Sequence, residues 1–388
     1  MLRISMVLAS LVFLAPTAHA QTDSVGELRV LIAIDPSDSE VLLISMAGIS
    51  SALGAASGVP VKVTKSNDLG NAMRATRTAE FELFIAPAHV AASALAHGYE
   101  LVGATANEEE YQLVGRADKS TVADFKGAKL YLTQQDSVGA YVARGILNDA
   151  GQSLKTFREV VYRRTSGAGL FAVETGIVDA TVAKRADAAV WLKANPGKGT
   201  VLLTSRPVPG GLSVVVRENV PAPLKAKLIA WLRSPAGVMS GIGRVQYRPE
   251  VASYKYVAAL GNFTPAQLPG ATRVTASEVG ELVKRGGQVV DVRSDKECRE
   301  RRIRGALCVP YGEKSLKDVA FDSDADDFAG LDKLDKAKVL VFACNGAECW
   351  KSYKASRVAV AKGFKSVYWF RGGLPEWLGA GLPVDAGA

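Results

Sequence analysis

Two cysteines, Cys344 and Cys349, stand where a short apolar run gives way to residues with helical spacing, and thiol chemistry is the first reading that this junction offers. Val339-Leu340-Val341-Phe342-Ala343 is apolar and rich in strand-forming types, which predicts a buried strand. The residues from Trp350 onward have helical spacing as far as Gly363. Between the two lies Cys344-Asn345-Gly346-Ala347-Glu348-Cys349. The first turn of a helix leaves backbone N–H groups unpaired and carries partial positive charge. A thiol held against those groups loses its proton more readily and becomes a nucleophile near neutral pH. Lys351 and Lys354 would add to that field.

Four further segments surround this loop in a fixed order. They are Val289-Val290-Asp291-Val292-Arg293, then Gly305-Ala306-Leu307-Cys308-Val309-Pro310, then Gly363 to Tyr368 with Arg371-Gly372-Gly373 and Glu376-Trp377, and finally Gly381-Leu382-Pro383-Val384. Together they resemble a rhodanese (sulfurtransferase) domain over about residues 274–384. The resemblance implies a small α/β domain that works through a persulfide. A cysteine thiolate takes sulfane sulfur from thiosulfate or a similar donor and passes it to a thiophilic acceptor.

Cys344 follows the strand directly and leaves a full-length helix before Gly363, so it is the expected nucleophile. Asn345, Gly346 and Lys351 would supply loop amides and charge. Cys349 is the alternative, because Cys349 and Lys354 fit the family's Cys-x-x-x-x-Arg/Lys spacing, while Cys344 to Lys351 is longer. Asp291 and Arg293 are expected to fix the turn near the loop through an ion pair rather than to do chemistry. Two readings compete with transfer. One is a catalytically silent domain that senses or docks, and the other is a thiol–disulfide protein using Cys344 and Cys349.

The chain that positions this loop has 388 residues and a net charge of +8. It has room for more than one domain. Arg3, the apolar run Ile4 to Ala15 and Ala18-His19-Ala20 read as a cleaved export signal over residues 1–20. No later stretch has the apolar length of a membrane helix. The mature chain is therefore expected to be exported. Basic residues are scattered and no nucleic-acid motif is present, so nucleic acid is not an expected partner. His89 and His97 are the histidines left after cleavage, and neither neighbours the cysteines, so neither a metal nor another cofactor is expected. All four cysteines lie in the last third. In an oxidising compartment Cys298 could pair with Cys308. Pairing of Cys344 with Cys349 would switch the nucleophile off, and a periplasmic thiol reductant would restore it.

Residues 21–262 alternate strands and helices, which implies parallel-sheet α/β architecture. The strands begin with Leu28 to Ile34, and a helix is expected over Glu40 to Ser57. Leu224 to Leu232 and Gly237 to Ile242 also look helical. Glu82 to His89, Val122 to Leu130, Asp136 to Tyr141 and Val173 to Ala180 resemble periplasmic solute-binding proteins of the phosphonate-transporter type. That resemblance implies two α/β lobes closing on a small anionic ligand, with a transporter permease as partner. Ser137 precedes a helix whose N–H groups could receive an anion. Pro87, His89, Arg163 and Ser166 are the other candidates for the cleft, and Arg side chains suit oxyanions. Asp35 and Asp38 should also reach the cleft, and two carboxylates there weaken the case for a dianion. Pro- and Gly-punctuated residues 263–273 read as a linker, and residues 274–388 form the rhodanese-like domain.

Overall fold

The computed structural model of the protein describes residues 26–37, 44–163 and 165–386. The export signal, Asp38 and Arg164 lie outside the described residues. Three five-stranded sheets organise the chain. The first has the order Val61–Ser66, Leu28–Ala33, Leu83–Ala86, Ser213–Arg217, Tyr99–Ala104. Its first three strands are parallel, and Ser213–Arg217 runs antiparallel to both neighbours. The second has the order Gly199–Thr204, Tyr111–Arg116, Ala180–Lys184, Lys129–Thr133, Glu159–Arg163. The chain crosses between these lobes twice. The crossings are stitched by antiparallel pairing of Val208 with Glu109 and of Pro209 with Glu108.

The apolar runs read from the sequence account for these strands. Leu28, Val30, Ile32, Leu83, Phe84 and Ile85 are fully buried, because helices cover both faces of the sheet. The expected helix over Gly237 to Ile242 is only Pro235–Met239. It ends early because Gly241 and Gly243 adopt φ of 84° and 88°, which a right-handed helix cannot hold. Among the described residues no helix is long and apolar enough to cross a membrane.

The third sheet is all parallel, in the order Thr272–Arg273, Ser366–Phe370, Val339–Ala343, Gln288–Asp291, Leu307–Cys308. Val339–Ala343 is central, and the helix Trp350–Ala361 returns from it to Ser366–Phe370. Cys298 and Cys308 are joined by a disulfide, with Cα atoms 5.9 Å apart. The Asp-rich stretch 318–338 is mostly loop, with two short 3-10 turns, Ser323–Ala325 and Ala329–Lys333.

The linker does not hang free. Asn262 accepts the indole N–H of Trp350 at 2.7 Å, and Thr264 N–H donates to Ala347 O at 2.8 Å. Both acceptors and donors lie against the cysteine loop, so the linker holds that loop to the first domain.

Asp291 and Arg293 form a buried ion pair at the end of their strand. Arg293 Nε lies 2.9 Å from Asp291 Oδ1, and Arg293 Nη2 lies 2.5 Å from both Asp291 Oδ2 and the Arg301 carbonyl. Removing one member strands the other charge in a dry site. Asp291→Ala should destabilise the rhodanese-like domain by about 3 kcal/mol. A fall in the urea midpoint of that domain's transition checks it, and an unchanged midpoint refutes it.

Candidate active site

Val339–Ala343 delivers Cys344 to the carboxyl end of the central strand, where Ala343 faces Asp291 on one side and Phe370 on the other. There the chain turns inward. Cys344 is 1% exposed, and its Sγ lies 3.0 Å from Ser352 Oγ and 3.2 Å from the Cys349 carbonyl. Burial pushes its thiol well above the ordinary range, and contact with Cys349 adds to the rise.

Cys349 occupies the N-cap position of the helix Trp350–Ala361. Gly346 makes this turn with φ of +101°, and Cys349 N–H then closes onto the Gly346 carbonyl at 3.0 Å. The Cys349 thiol is lowered to about 7. The Cys344 thiol donating to it is the largest cause, and the Asn345 and Lys351 N–H groups act the same way, while burial and Glu313 oppose them. The loop N–H groups of Asn345 and Lys351, expected to favour the thiolate of Cys344, thus act on Cys349 instead. Cys344 is sealed inside the domain, whereas Cys349 is half-buried and lines a cleft of about 820 Å³. Both thiols are free.

Lys351 lies in the first helical turn and borders the same cleft. Lys354 does not contribute the expected field at the thiol. It is fully buried, 2.7 Å from Glu313 Oε1 and 2.9 Å from Ser315 Oγ, so its charge is already matched. Asn345 Nδ2 donates to Glu297 Oε1 at 2.8 Å.

Residues of the first domain reach this loop, and sequence reasoning missed all of them. Arg77 Nη1 lies 2.6 Å from Glu348 Oε2, and Arg77 Nη2 donates to the Asn345 carbonyl at 2.9 Å. Lys317 Nζ lies 2.7 and 2.8 Å from the two carboxylate oxygens of Asp136. Burial pushes the Lys317 ammonium down, but Asp136 outweighs it and the net direction is up. The partners are 271 and 181 positions apart, so no local pattern announces them.

The cleft between the two lobes of the first domain is small, about 120 Å³. Ser137 is buried and caps the helix Val138–Asp149, with its Oγ 3.2 Å from Ala140 N and 2.5 Å from Thr133 Oγ1. The next N–H, on Val138, is already taken by Asp35 Oδ2 at 3.1 Å. Ser37 fixes that carboxylate through its N–H at 2.9 Å and its hydroxyl at 2.6 Å. The chain's own aspartate thus occupies the seat expected for an anion. Pro87 and Ser166 line this cleft. His89 and Arg163 do not. His89 is 2% exposed, packs 4.9 Å from the Tyr141 ring, and burial holds it below its ordinary pKa. Arg163 is exposed and donates to its neighbour's carbonyl on the edge strand Glu159–Arg163, away from the interlobe wall.

A family model described as the periplasmic substrate-binding protein of phosphonate ABC transporters matches residues 32–240, more than half of the chain, and the chain belongs to that family. A second model, the rhodanese-like domain, matches residues 275–380, so the carboxyl-terminal unit is rhodanese-like. PhnD1 from Prochlorococcus marinus in complex with methylphosphonate is similar in structure, with 15% identity and a TM-score of 0.48 over 61% of this chain and 97% of its own. A phosphonate-transporter binding component from Pseudomonas aeruginosa is 16% identical, with a TM-score of 0.42 over 58% of this chain and 81% of its own. An HTH-type transcriptional regulator of Mycobacterium tuberculosis is 34% identical over 112 residues, 28% of this chain. The match covers 43% of that relative, so the chain spans less than half its length.

The two thiols should separate cleanly in reactivity. With iodoacetamide at neutral pH, Cys349 should alkylate at least about tenfold faster than Cys344 in the native protein, because only a deprotonated, accessible sulfur attacks. Peptide mapping checks this. Preferential labelling of Cys344 would reverse the assignment.

Proposed function

We propose that this protein is an exported periplasmic sulfurtransferase in which Cys349 is the nucleophile. The observation that carries the reading is the place of the Cys349 sulfur, at a helix N-cap and on the wall of a cleft, while Cys344 is sealed in the core. The Cys349 thiolate attacks the outer sulfur of thiosulfate. The S–S bond breaks, sulfite leaves with its electron pair, and the outer sulfur stays on Cys349 as a persulfide. The Asn345 and Lys351 N–H groups stabilise the negative sulfur at each stage. Gly346 permits the turn, Lys351 attracts the donor anion, and Cys344 acts as a buried donor to Cys349. Asp291 and Arg293 hold the turn beneath the loop. A thiophilic acceptor then takes the outer sulfur and returns the thiolate.

Thiosulfate loading followed by intact mass measurement tests the assignment. Wild type should gain one sulfur atom and Cys349→Ser none. Cys344→Ala should still load. Loading should increase as pH rises through about 7, since the thiolate is the attacking form. Loss of the Cys344 donor should move that midpoint upward. Loading of Cys349→Ser but not of Cys344→Ala would return the role to Cys344.

We further propose that the first domain accepts a small anionic ligand only when Asp35 withdraws from the head of Val138–Asp149. Two negative groups cannot share one helix terminus. The family membership supports an anion and a permease partner, while Asp35 explains why the seat is taken. Asp35→Ala should tighten methylphosphonate binding at least about tenfold in calorimetry. Equal weak binding in both forms would remove the cleft from this role.

A further inference from the structure

The two large sheets of the first domain have four edges between them, and three of these are guarded. An unpaired strand edge offers a row of free backbone groups to another chain, and folded proteins blunt it with charge, a bulge or a covering segment. Val61–Ser66 turns Lys62 and Lys65 to solvent. Tyr99–Ala104 is met at its end by Tyr247, whose N–H and carbonyl are bonded to Ala104 at 3.1 and 2.9 Å. Gly199–Thr204 breaks register between Val201 and Leu203.

The fourth edge is Glu159–Arg163. It pairs with Lys129–Thr133 in unbroken register, and among the described residues no strand or bridge meets its outer side. It has no proline, no glycine and no charge at its centre. Strand alternation sends Glu159, Val161 and Arg163 to one face. There they line a groove of about 830 Å³ with Phe171 and Ile177, which are 59% and 64% exposed.

The order of charges along this strand selects its occupant. Glu159-Val160-Val161-Tyr162-Arg163 carries opposite charges at equal distances from Val161. A second copy running antiparallel, with Val161 on the two-fold axis, sets Glu159 of each copy opposite Arg163 of the other. It also sets Val160 opposite Tyr162, a pair of β-branched and aromatic side chains of the kind that stabilises neighbouring strands. A parallel copy would set like charges together. A slip of one residue would unpair both charges and put the two grooves on opposite faces. Lys129 Nζ lies 2.9 Å from one carboxylate oxygen of Glu159, which leaves the other oxygen to face the second copy.

We propose that the protein is a symmetric dimer joined through Glu159–Arg163, with the second sheets of two copies running on as one. Phe171 and Ile177 of both copies flank the axis and supply the apolar part of the contact. The interface presents the same patch on both sides, so it closes on itself and leaves no edge for further growth.

Sedimentation equilibrium of the exported chain from about 1 to about 100 µM should show a mass that rises with concentration to twice that of one chain. Arg163→Glu and Glu159→Arg each place like charges opposite one another at two points and should weaken the dimer at least about tenfold. The double variant Glu159→Arg/Arg163→Glu reverses the order of charges and should dimerise as wild type does. Hydrogen exchange needs no variant: the amides of Val160 to Tyr162 should exchange more slowly at the high concentration than at the low. A wild-type mass of one chain throughout would overturn the proposal. So would a dimer that both single variants leave intact, one that the double variant fails to restore, or exchange at this strand that ignores concentration.

Discussion

The cysteine loop takes its shape from one close backbone crossing. Gly373 passes over the Cys344 carbonyl with φ of +57°, and a Cβ at that position would lie 2.1 Å from the carbonyl oxygen. The N–H of Leu374 donates to that same oxygen at 2.9 Å. The strand end is therefore pinned from above. With its carbonyl held, Cys344 directs its side chain into the core, onto the Ser352 hydroxyl that the Trp369 indole N–H also holds. The chain must then make a further turn before a helix can begin. Gly346 provides that turn, and Cys349 arrives at the helix head. The placement of the two sulfurs thus depends on a glycine almost thirty positions downstream of the cysteine it constrains.

The two thiols also divide the electrostatic work. Burial favours the protonated form of Cys344, and a protonated thiol is a donor. That donor is what helps Cys349 lose its own proton. Opposite shifts in neighbouring groups of one chemical type arise from environment alone. An ion pair of Lys354 with Glu313 plays a similar part. It removes a cation that spacing alone would aim at the thiol and spends it on anchoring the loop at Ser315.

Much of the architecture was legible. The apolar runs at Leu28, Leu83 and Val339 became strands because each is too short for a helix and is flanked by turn residues. Thr275 with Glu278 became a capping box. The pattern of segments from Val289 to Val384 marks the rhodanese-like domain. The site was less legible, for two reasons. A loop two residues longer than usual makes the strand-adjacent cysteine look reactive, and only side-chain direction decides between the two sulfurs. Arg77, which holds the loop, and Asp136, which holds Lys317 beside it, come from another domain, and pairings of that sequence separation leave no periodicity to read. His89 and Arg163 were misplaced because position in a loop does not reveal which way a side chain turns. Asp35 was visible as an unwelcome carboxylate, but its seat on Val138 required the fold.

The segment from Thr133 to Val138 belongs to both halves of the molecule. On one side the Val138 N–H meets Asp35 at the interlobe cleft, and on the other Asp136 meets Lys317 beside the Cys349 cleft. Ser137 sits between them, buried and capping. A largely buried charge pair resists separation, since breaking it leaves an uncompensated charge. The segment therefore cannot shift on its cleft side while Lys317 holds it on the other without that cost. A solute-binding fold ordinarily needs its lobes free to close. Here Glu348 accepts Arg77 from one lobe and lies 3.4 Å from the Tyr141 hydroxyl of the other, so a single side chain of the cysteine loop touches both lobes. The freedom that serves a receptor is restrained at the point where the thiol loop needs a fixed wall, and this shared set of charges links the two modules together with the linker.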